Sequence, residues 1–460
     1  MENLLKFIAE HGDEDVSKLI LSRKKYPEVD MELAVNCIES RRKLKGKVQQ
    51  WYENTHLIFP LKLSAEQCSS SATGQYKAEL AESIISRCLD SRCSLDMTGE
   101  GSPDMTERTC HFELDEKSPQ WTIADLTGGL GVDSWYFSQK ATMVIYNEMQ
   151  RVLCDAARHN FKVLGAENIL VTNRTIEQGR CLDSLRSLDM TGEGSPDMTE
   201  RTCHFEIDEK SPDIVYMDPA RRGEGGKKVF LIEDCTPDVL TLKDEIFLQC
   251  RHILLKLSPM ADITMACERL GRTCREVHVV ATGGECKELL IWMDREWNDE
   301  YTIIAAELHS DSPASLFVFT PSDEKSSPIP SSLHINNATY LFEPGKALMK
   351  AGAYNLIAAR FGIEKLGRST HYYVMDSEQK ALSCKAYGKV FEILEQQSLN
   401  KKSLKEFGKK YPKAEVSARN IPMDTDSLRK KMGITSGDDA HIFGLKSDTE
   451  GNLLIAARRI

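Results

Sequence analysis

The chain has 460 residues, is 41% hydrophobic and 28% charged, and carries a formal net charge of −11. That composition buries sizeable cores and excludes a disordered chain, and at ~150 residues per domain the length corresponds to about three domains. No stretch approaches the ~18 apolar residues of a membrane span, and MENLLKFIAEHGDEDV has no basic region leading into an apolar one, so no signal peptide is expected. The 14 cysteines contain no Cys-x-x-Cys pair. This argues against a zinc knuckle or a disulfide scaffold and for a reducing, cytoplasmic setting, with no metal expected.

Residues 1–80 read as a helical region, with apolar faces at Leu4-Leu5…Ile8, Val16…Leu19-Ile20 and Leu33-Ala34…Cys37-Ile38. The basic stretch from Arg41 to Lys47 reads as a solvated helix face. The segment Leu63–Leu80, LSAEQCSSSATGQYKAEL, is a Ser-rich cap opening a further helix.

Residues 81–308 form the next domain, with strands and helices alternating from about 120 to 305 in the pattern of a mostly parallel sheet. Thr122–Asp133 reads TIADLTGGLGVD, an apolar strand ending in a carboxylate and a glycine turn. Val144–Glu148 (VIYNE) ends a second strand in a glutamate, and Asp213–Arg222 (DIVYMDPARR) ends a later one in an Asp-Pro turn. HILLKLSPMAD (His252–Asp262), the hairpin-like EVHVVATGGECKELLIWM (Glu276–Met293) and YTIIAAEL (Tyr301–Leu308) supply the remaining strands.

Within this domain Ser94–Pro119 recurs at Ser187–Pro212 with one change, Leu114 to Ile207. Each 26-residue copy has seven Asp/Glu against two Arg/Lys, so the pair supplies −10 of the −11 and the rest of the chain is close to neutral. One copy precedes the TIAD strand and the other the DIVYMD strand. Both are therefore expected to enter at the amino ends of strands, away from the carboxyl ends where ligands bind in such sheets.

Residues 309–332, including PSDEKSSPIPSS, read as a linker. Beyond it the charge changes sign: residues 340–460 hold 21 Lys/Arg and 14 Asp/Glu, a net of +7. Two α+β units are expected there, at 333–390 and 391–460. The second reads strand GKVFEILEQQ, helix SLKEFGKKYP, strand AEVSARNIPM, helix DSLRKKMGI and strands HIFGLKS and NLLIAARRI.

The order of glycine loop, strand-end glutamate and Asp-Pro turn resembles the class I S-adenosylmethionine-dependent methyltransferases. The resemblance implies an α/β, Rossmann-like seven-stranded sheet with S-adenosyl-L-methionine as cofactor. It implies polar cofactor contacts from Asp125 and Thr127, close backbone approach at Gly129 and Gly131, and ribose hydroxyls accepted by Glu148. Thr175 falls where the family usually offers an Asp beside the adenine. Asp218-Pro219-Ala220-Arg221 occupies the place of the Asp/Asn/Ser-Pro-Pro-aromatic motif of amino-group methyltransferases. Asp218 and the backbone at Pro219 would then orient the acceptor, and Arg221 would stack on a base. Lys256 lies at the end of the next apolar strand, facing the same edge.

DPARRG also resembles the matching motif of uracil-C5 RNA methyltransferases, but HILLKLSPMAD lacks the cysteine those enzymes require, so a covalent route is not expected. Cys286 is not expected to be reactive. Glu66–Ser70 resembles a segment that lids the cofactor in several RNA methyltransferases. Residues 391–460 resemble THUMP-like RNA-binding modules, and the unit before them resembles their ferredoxin-like companion. The implied activity is methylation of a base in structured RNA, tRNA or rRNA. The alternatives are an inactive RNA-binding protein and a DNA or protein methyltransferase.

Overall fold

The computed structural model describes residues 2–95, 120–176, 211–221, 232–310, 312–328 and 338–460. The duplicated copies lie almost entirely outside the described residues, as does the side chain of Arg221, and so do the expectations for them. By internal packing the chain divides into one unit of residues 1–274 and 291–298 and a second of 275–290 and 299–460.

The first unit opens with helices Glu2–His11, Val16–Leu21, Met31–Leu44, Gln49–Glu53, Lys62–Gln67 and Ser71–Leu95. The periodic apolar residues build one core, in which Leu4, Phe7, Ile8, Leu19, Ala34 and Ile38 are buried together. The basic stretch is only in part the solvated face its composition suggests: Arg42, Lys43 and Lys45 are exposed, whereas Arg41 and Lys47 turn inward. Arg41 is buried and donates to the carbonyls of Tyr52, Asn54 and Leu57 at 2.8, 2.7 and 2.9 Å. Lys47 likewise donates to the Ala65 carbonyl at 3.2 Å.

The strands that follow are β1 (Thr122–Asp125), β2 (Met143–Asn147), β3 (Ile169–Thr172), β4 (Ile214–Met217), β5 (Ala220–Arg221), β6 (Cys235–Thr236), β7 (His252–Leu257), β8 (Cys274–Thr282), β9 (Glu285–Asp294), β10 (Thr302–Leu308) and β11 (Ser315–Phe319). Nine of them form one sheet of order β11-β10-β8-β9-β7-β4-β1-β2-β3, while β5 and β6 form a separate ribbon. β1 runs parallel to β2 and β4, β2 to β3, and β4 to β7. Helices Val132–Ser138 and Arg151–Val163 follow β1 and β2. Every residue of β4 is buried, as expected of a central parallel strand covered on both faces. β8 and β9 are joined by Gly283-Gly284, with φ of +61° and +79°, the geometry a two-residue hairpin requires.

The seven-stranded order β8-β9-β7-β4-β1-β2-β3 is thus extended by β10 and β11. The extension reaches into the stretch read as a linker. Ser315–Phe319 alternates, with Phe317 and Phe319 buried and Leu316 and Val318 exposed, a half-buried strand inside Ser- and Pro-rich surroundings. Thr320 then caps helix Pro321–Ser326 through a reciprocal capping box with Asp323.

In the second unit, β12 (Tyr340–Pro344), β13 (Glu364–Lys365), β14 (Tyr373–Met375), β15 (Gly388–Ser398), β16 (Lys413–Arg419), β17 (Thr435–Ser447) and β18 (Gly451–Arg459) form a sheet of order β13-β14-β12-β15-β18-β17-β16. Its pairings are antiparallel except β16 with β17, which run parallel. Helices Lys401–Lys410 and Thr425–Met432 bury Leu404, Phe407, Leu428 and Met432 in a core with Val416, Ile442 and Leu454. A second cluster joins Leu341, Tyr372 and Val374 to Phe391, Phe443 and Ile455.

Candidate active site

β1 delivers Asp125 to the carboxyl end of the parallel strands, the edge at which open α/β sheets bind ligands. Asp125 is buried, accepting Thr127 N–H at 3.1 Å and the Ser134 hydroxyl at 2.5 Å. Ser134 stands where a dinucleotide fingerprint would put its third glycine, and its hydroxyl closes the turn onto the strand. Burial pushes the Asp125 carboxyl up to about 7, against the lowering hydrogen bond from Ser134. Unfolded, the group titrates near ~3.9. Its stabilising, protonated form is therefore fully present below about pH 4 and lost as pH rises through about 7. Asp125→Asn should remove this dependence. Relative to that variant, the wild type should lose on the order of 4 kcal/mol of unfolding free energy between pH 4 and 8. A constant difference across that range, read by denaturant titration, would refute the assignment.

The glycine loop is shaped by its neighbours. Gly131 has φ of +92° and caps helix Val132–Ser138, and a Cβ there would lie 2.7 Å from the Phe161 ring. Gly128 was not singled out by the sequence, yet a Cβ on it would stand 2.2 Å from the Tyr146 ring. The same tyrosine donates to the Gly129 carbonyl at 2.7 Å. Gly129 adopts φ of +54° with no close neighbour for a Cβ, so its role is conformational.

At the end of β2, Glu148 is buried beneath this loop. One carboxylate oxygen accepts Gly129 N–H at 3.0 Å and the other Gln150 N–H at 2.8 Å. Met149 and Val152 beside it are exposed apolar side chains. Thr175 is exposed beyond β3. The polar network at that strand end is built instead by Asn147, which accepts from Thr172 and Arg174 at 2.9 and 3.1 Å.

Asp218 follows β4, and its N–H is accepted by the Thr127 hydroxyl at 2.6 Å, tying the Asp-Pro turn to the glycine loop. Lys256, at the end of the adjacent β7, donates to Asp218 Oδ2 at 2.5 Å. Oδ1 of Asp218 has no hydrogen-bond partner among the described residues, and the side chain is 37% exposed. Pro219 is buried behind it, and Ala220 is exposed where the chain enters β5.

Three further groups complete the site. Lys77, fully buried on helix Ser71–Leu95, lies 3.3 Å from Asp133 Oδ1 and donates to Ser69 at 2.9 Å. Asp133 Oδ2 accepts from Ser69 and Tyr216, each at 2.9 Å. Burial pushes the Asp133 carboxyl up, but the Lys77 and Lys256 charges, with the Ser69 and Tyr216 donors, overcome it and hold the group below the usual range. The Glu66–Ser70 segment therefore reaches the site through Ser69. Cys68 next to it is inert, its thiol pushed up by burial. Cys286 opens β9 in the second unit, and burial raises its thiol to about 11. Neither cysteine has the lowered pKa of a nucleophile.

Residues 340–382 match the model of a ferredoxin-like domain and residues 388–459 that of a THUMP domain-like family. Over nearly its whole length the chain is similar to a solved structure from Porphyromonas gingivalis W83 described as a "putative methyltransferase". The two share 27% identity at a TM-score of 0.75, over 99% of this chain and 97% of that one. Two more distant likenesses are an rRNA methylase from Streptococcus thermophilus and a SAM-dependent methyltransferase from Aquifex aeolicus. The first has 10% identity and TM-score 0.25 over 38% of this chain and 86% of its own. The second has 12% and 0.24 over 38% and 81%. No curated protein matches the chain. The protein has a methyltransferase-like α/β fold followed by ferredoxin-like and THUMP-like domains.

Proposed function

We propose that the protein transfers a methyl group from S-adenosylmethionine to a base in structured RNA, tRNA or rRNA. The observation that carries this reading is the meeting, at one sheet edge, of a glycine loop held by Glu148 and an Asp218–Lys256 pair tied to that loop through Thr127. The residues fit the cofactor. Each Glu148 oxygen spends one acceptor site on a backbone N–H and keeps another for a hydroxyl, and exposed Met149 and Val152 offer apolar cover for a flat ring. When bound, S-adenosylmethionine supplies an electrophilic methyl group.

The chain's own residues hold and aim the acceptor. Asp218 Oδ1 accepts a hydrogen bond from the nucleophile, Lys256 fixes the carboxylate plane, and the rest of the rate enhancement comes from positioning. The THUMP-like domain and the basic residues after 340 support RNA as the acceptor. Glu148→Ala should weaken cofactor binding by about 1–3 kcal/mol, or roughly 5- to 150-fold, with Glu148→Gln intermediate. Calorimetry reads this, and unchanged affinity in the alanine variant would sink the ribose role. Tritiated cofactor incubated with RNA, DNA or protein from a deletion strain identifies the acceptor. Label in DNA or protein alone would overturn the RNA reading.

A further inference from the structure

Strands β17 and β18 of the THUMP-like sheet are covered on both faces along their middle stretches, while edge strand β16 exposes Lys413, Glu415 and Arg419 on one face. Phe391, Phe443 and Ile455 pack against Leu341, Tyr372 and Val374, while Ile442, Leu454 and Val416 pack beneath helices Lys401–Lys410 and Thr425–Met432. What this part of the fold presents outward includes the far side of the two helices, and it is lysine-rich. The first helix reads KKSLKEFGKK, with five lysines and one glutamate. Ser403, Leu404 and Phe407 take its buried face.

Of the charged residues here, Lys402 pairs with Glu406 at 3.8 Å, Arg429 with Glu415 at 3.4 Å, and Lys410 with Glu395. Lys401, Lys405, Lys409, Lys430 and Lys431 are exposed and have no acidic partner among the described residues. The first three recur every fourth residue, so they form one stripe with ~6 Å between successive positions along the axis. Lys430 stands on the second helix, opposite buried Leu428 and Met432.

The two helices are held at a fixed separation. Gly408 meets the end of the second helix so closely that a Cβ there would lie 1.9 Å from the Met432 carbonyl oxygen. Going round the helix, Gly408 lies between the buried face and the lysine stripe. The stripe therefore flanks the side nearest the second helix, and Lys401, Lys405 and Lys409 form a ridge beside the helix whose last turn carries Lys430 and Lys431. Unpaired, evenly spaced lysines on a rigid support cost self-repulsion and contribute nothing to the core. A ligand with regularly spaced negative charges would relieve that cost.

We infer that this ridge binds the phosphate backbone of the RNA. The inference rests on the RNA reading above for its ligand and on the unpaired lysines for its location. Phosphate contact gives affinity and orientation without sequence readout. The ridge carries no aromatic side chain on its exposed positions to stack a base, so its contribution is to position structured RNA.

The test uses the full chain and bulk tRNA as the probe. Binding is measured across a salt series for wild type, for Lys401→Gln/Lys405→Gln/Lys409→Gln, and for Lys18→Gln/Lys24→Gln/Lys25→Gln as a control with the same charge change. The ridge variant should bind roughly ten- to a hundredfold more weakly. Its salt slope should fall by about one for each phosphate that no longer meets a lysine, to a total near 3, while the control stays within about twofold. All six lysines are exposed, so far-UV circular dichroism and melting should be unchanged. An equal loss in the control would reduce the effect to net charge and overturn the ridge. So would tRNA affinity untouched by the ridge variant alongside lost binding of polyglutamate, which would assign the surface to an acidic protein. Wild type with no affinity for any RNA would overturn the functional reading itself, a different failure from an unaffected variant.

Discussion

Asp218→Ala should lower methyl transfer by about 10²–10⁴-fold while leaving cofactor affinity within a few-fold. The separation follows from where its contacts go. The Asp218 backbone N–H binds Thr127, and that bond survives the substitution. The side chain meets Lys256 with one oxygen and offers the other to the acceptor. Asp218→Asn keeps one acceptor oxygen but turns an NH₂ toward either Lys256 or the acceptor, so it should recover only part of the rate. Lys256→Met should fall between wild type and Asp218→Ala in rate. It should also weaken Asp133 retention of its proton-free form, because Lys256 is one of the charges holding that carboxyl low. Its activity should consequently decline at a higher pH, on acidification, than that of wild type. The readouts are tritium incorporation into RNA and calorimetric cofactor binding in parallel. An Asp218→Ala enzyme with wild-type turnover would remove the residue from the reaction, and one that fails to bind cofactor would make its role structural.

Asp125, Glu148, Asp218 and Lys256 were legible in the sequence for one reason. Each stands at or just beyond the end of an apolar strand, and a parallel sheet gathers such ends along one edge. Lys77, Asp133 and Tyr216 were not singled out, and Ser69 only as part of the Glu66–Ser70 segment, because their meeting is a long-range event. Lys77 had a local signal all the same. In helix Ser71–Leu95 it shares a face with the buried residues Ala81, Ile84 and Cys88, and a lysine in an apolar stripe must either snorkel or find a buried partner. Here the partner is Asp133. Arg41 misled for the converse reason. It sits in a run of cations, and only its burial and its three short bonds to carbonyls show that it organises the loop after Met31–Leu44. β11 was hidden by composition, since five alternating residues between Ser-Pro and Thr-Pro weigh little in a linker-like stretch. Gly128 was passed over because a glycine's requirement here comes from the Tyr146 ring, which no local pattern announces.

Gly408→Ala should cost roughly 2–4 kcal/mol of stability in the second unit, against the usual sign for such a change. In an exposed helix interior, replacing glycine by alanine gains about 1 kcal/mol. At this position the new Cβ falls 1.9 Å from the Met432 carbonyl oxygen and 2.9 Å from its carbon. Both are backbone atoms at the end of a helix that Gly433 stops in the left-handed conformation, with φ of +70°. A side chain could rotate away, but a helix end cannot. Helices Lys401–Lys410 and Thr425–Met432 must therefore move apart, loosening Leu404 and Phe407 from Leu428 and Met432. All five tryptophans belong to the first unit, so intrinsic fluorescence is a poor reporter of this change. Denaturation followed by far-UV circular dichroism, with hydrogen exchange resolved in the two helices, reads it directly. Lys409→Ala, one residue along on the exposed side, should change stability by less than about 0.5 kcal/mol. If Gly408→Ala were as stable as wild type, with both helices still protected, the close approach would be wrong. The fixed spacing of the lysine ridge from the second helix would then fail with it, because Gly408 is what holds the two helices at that distance.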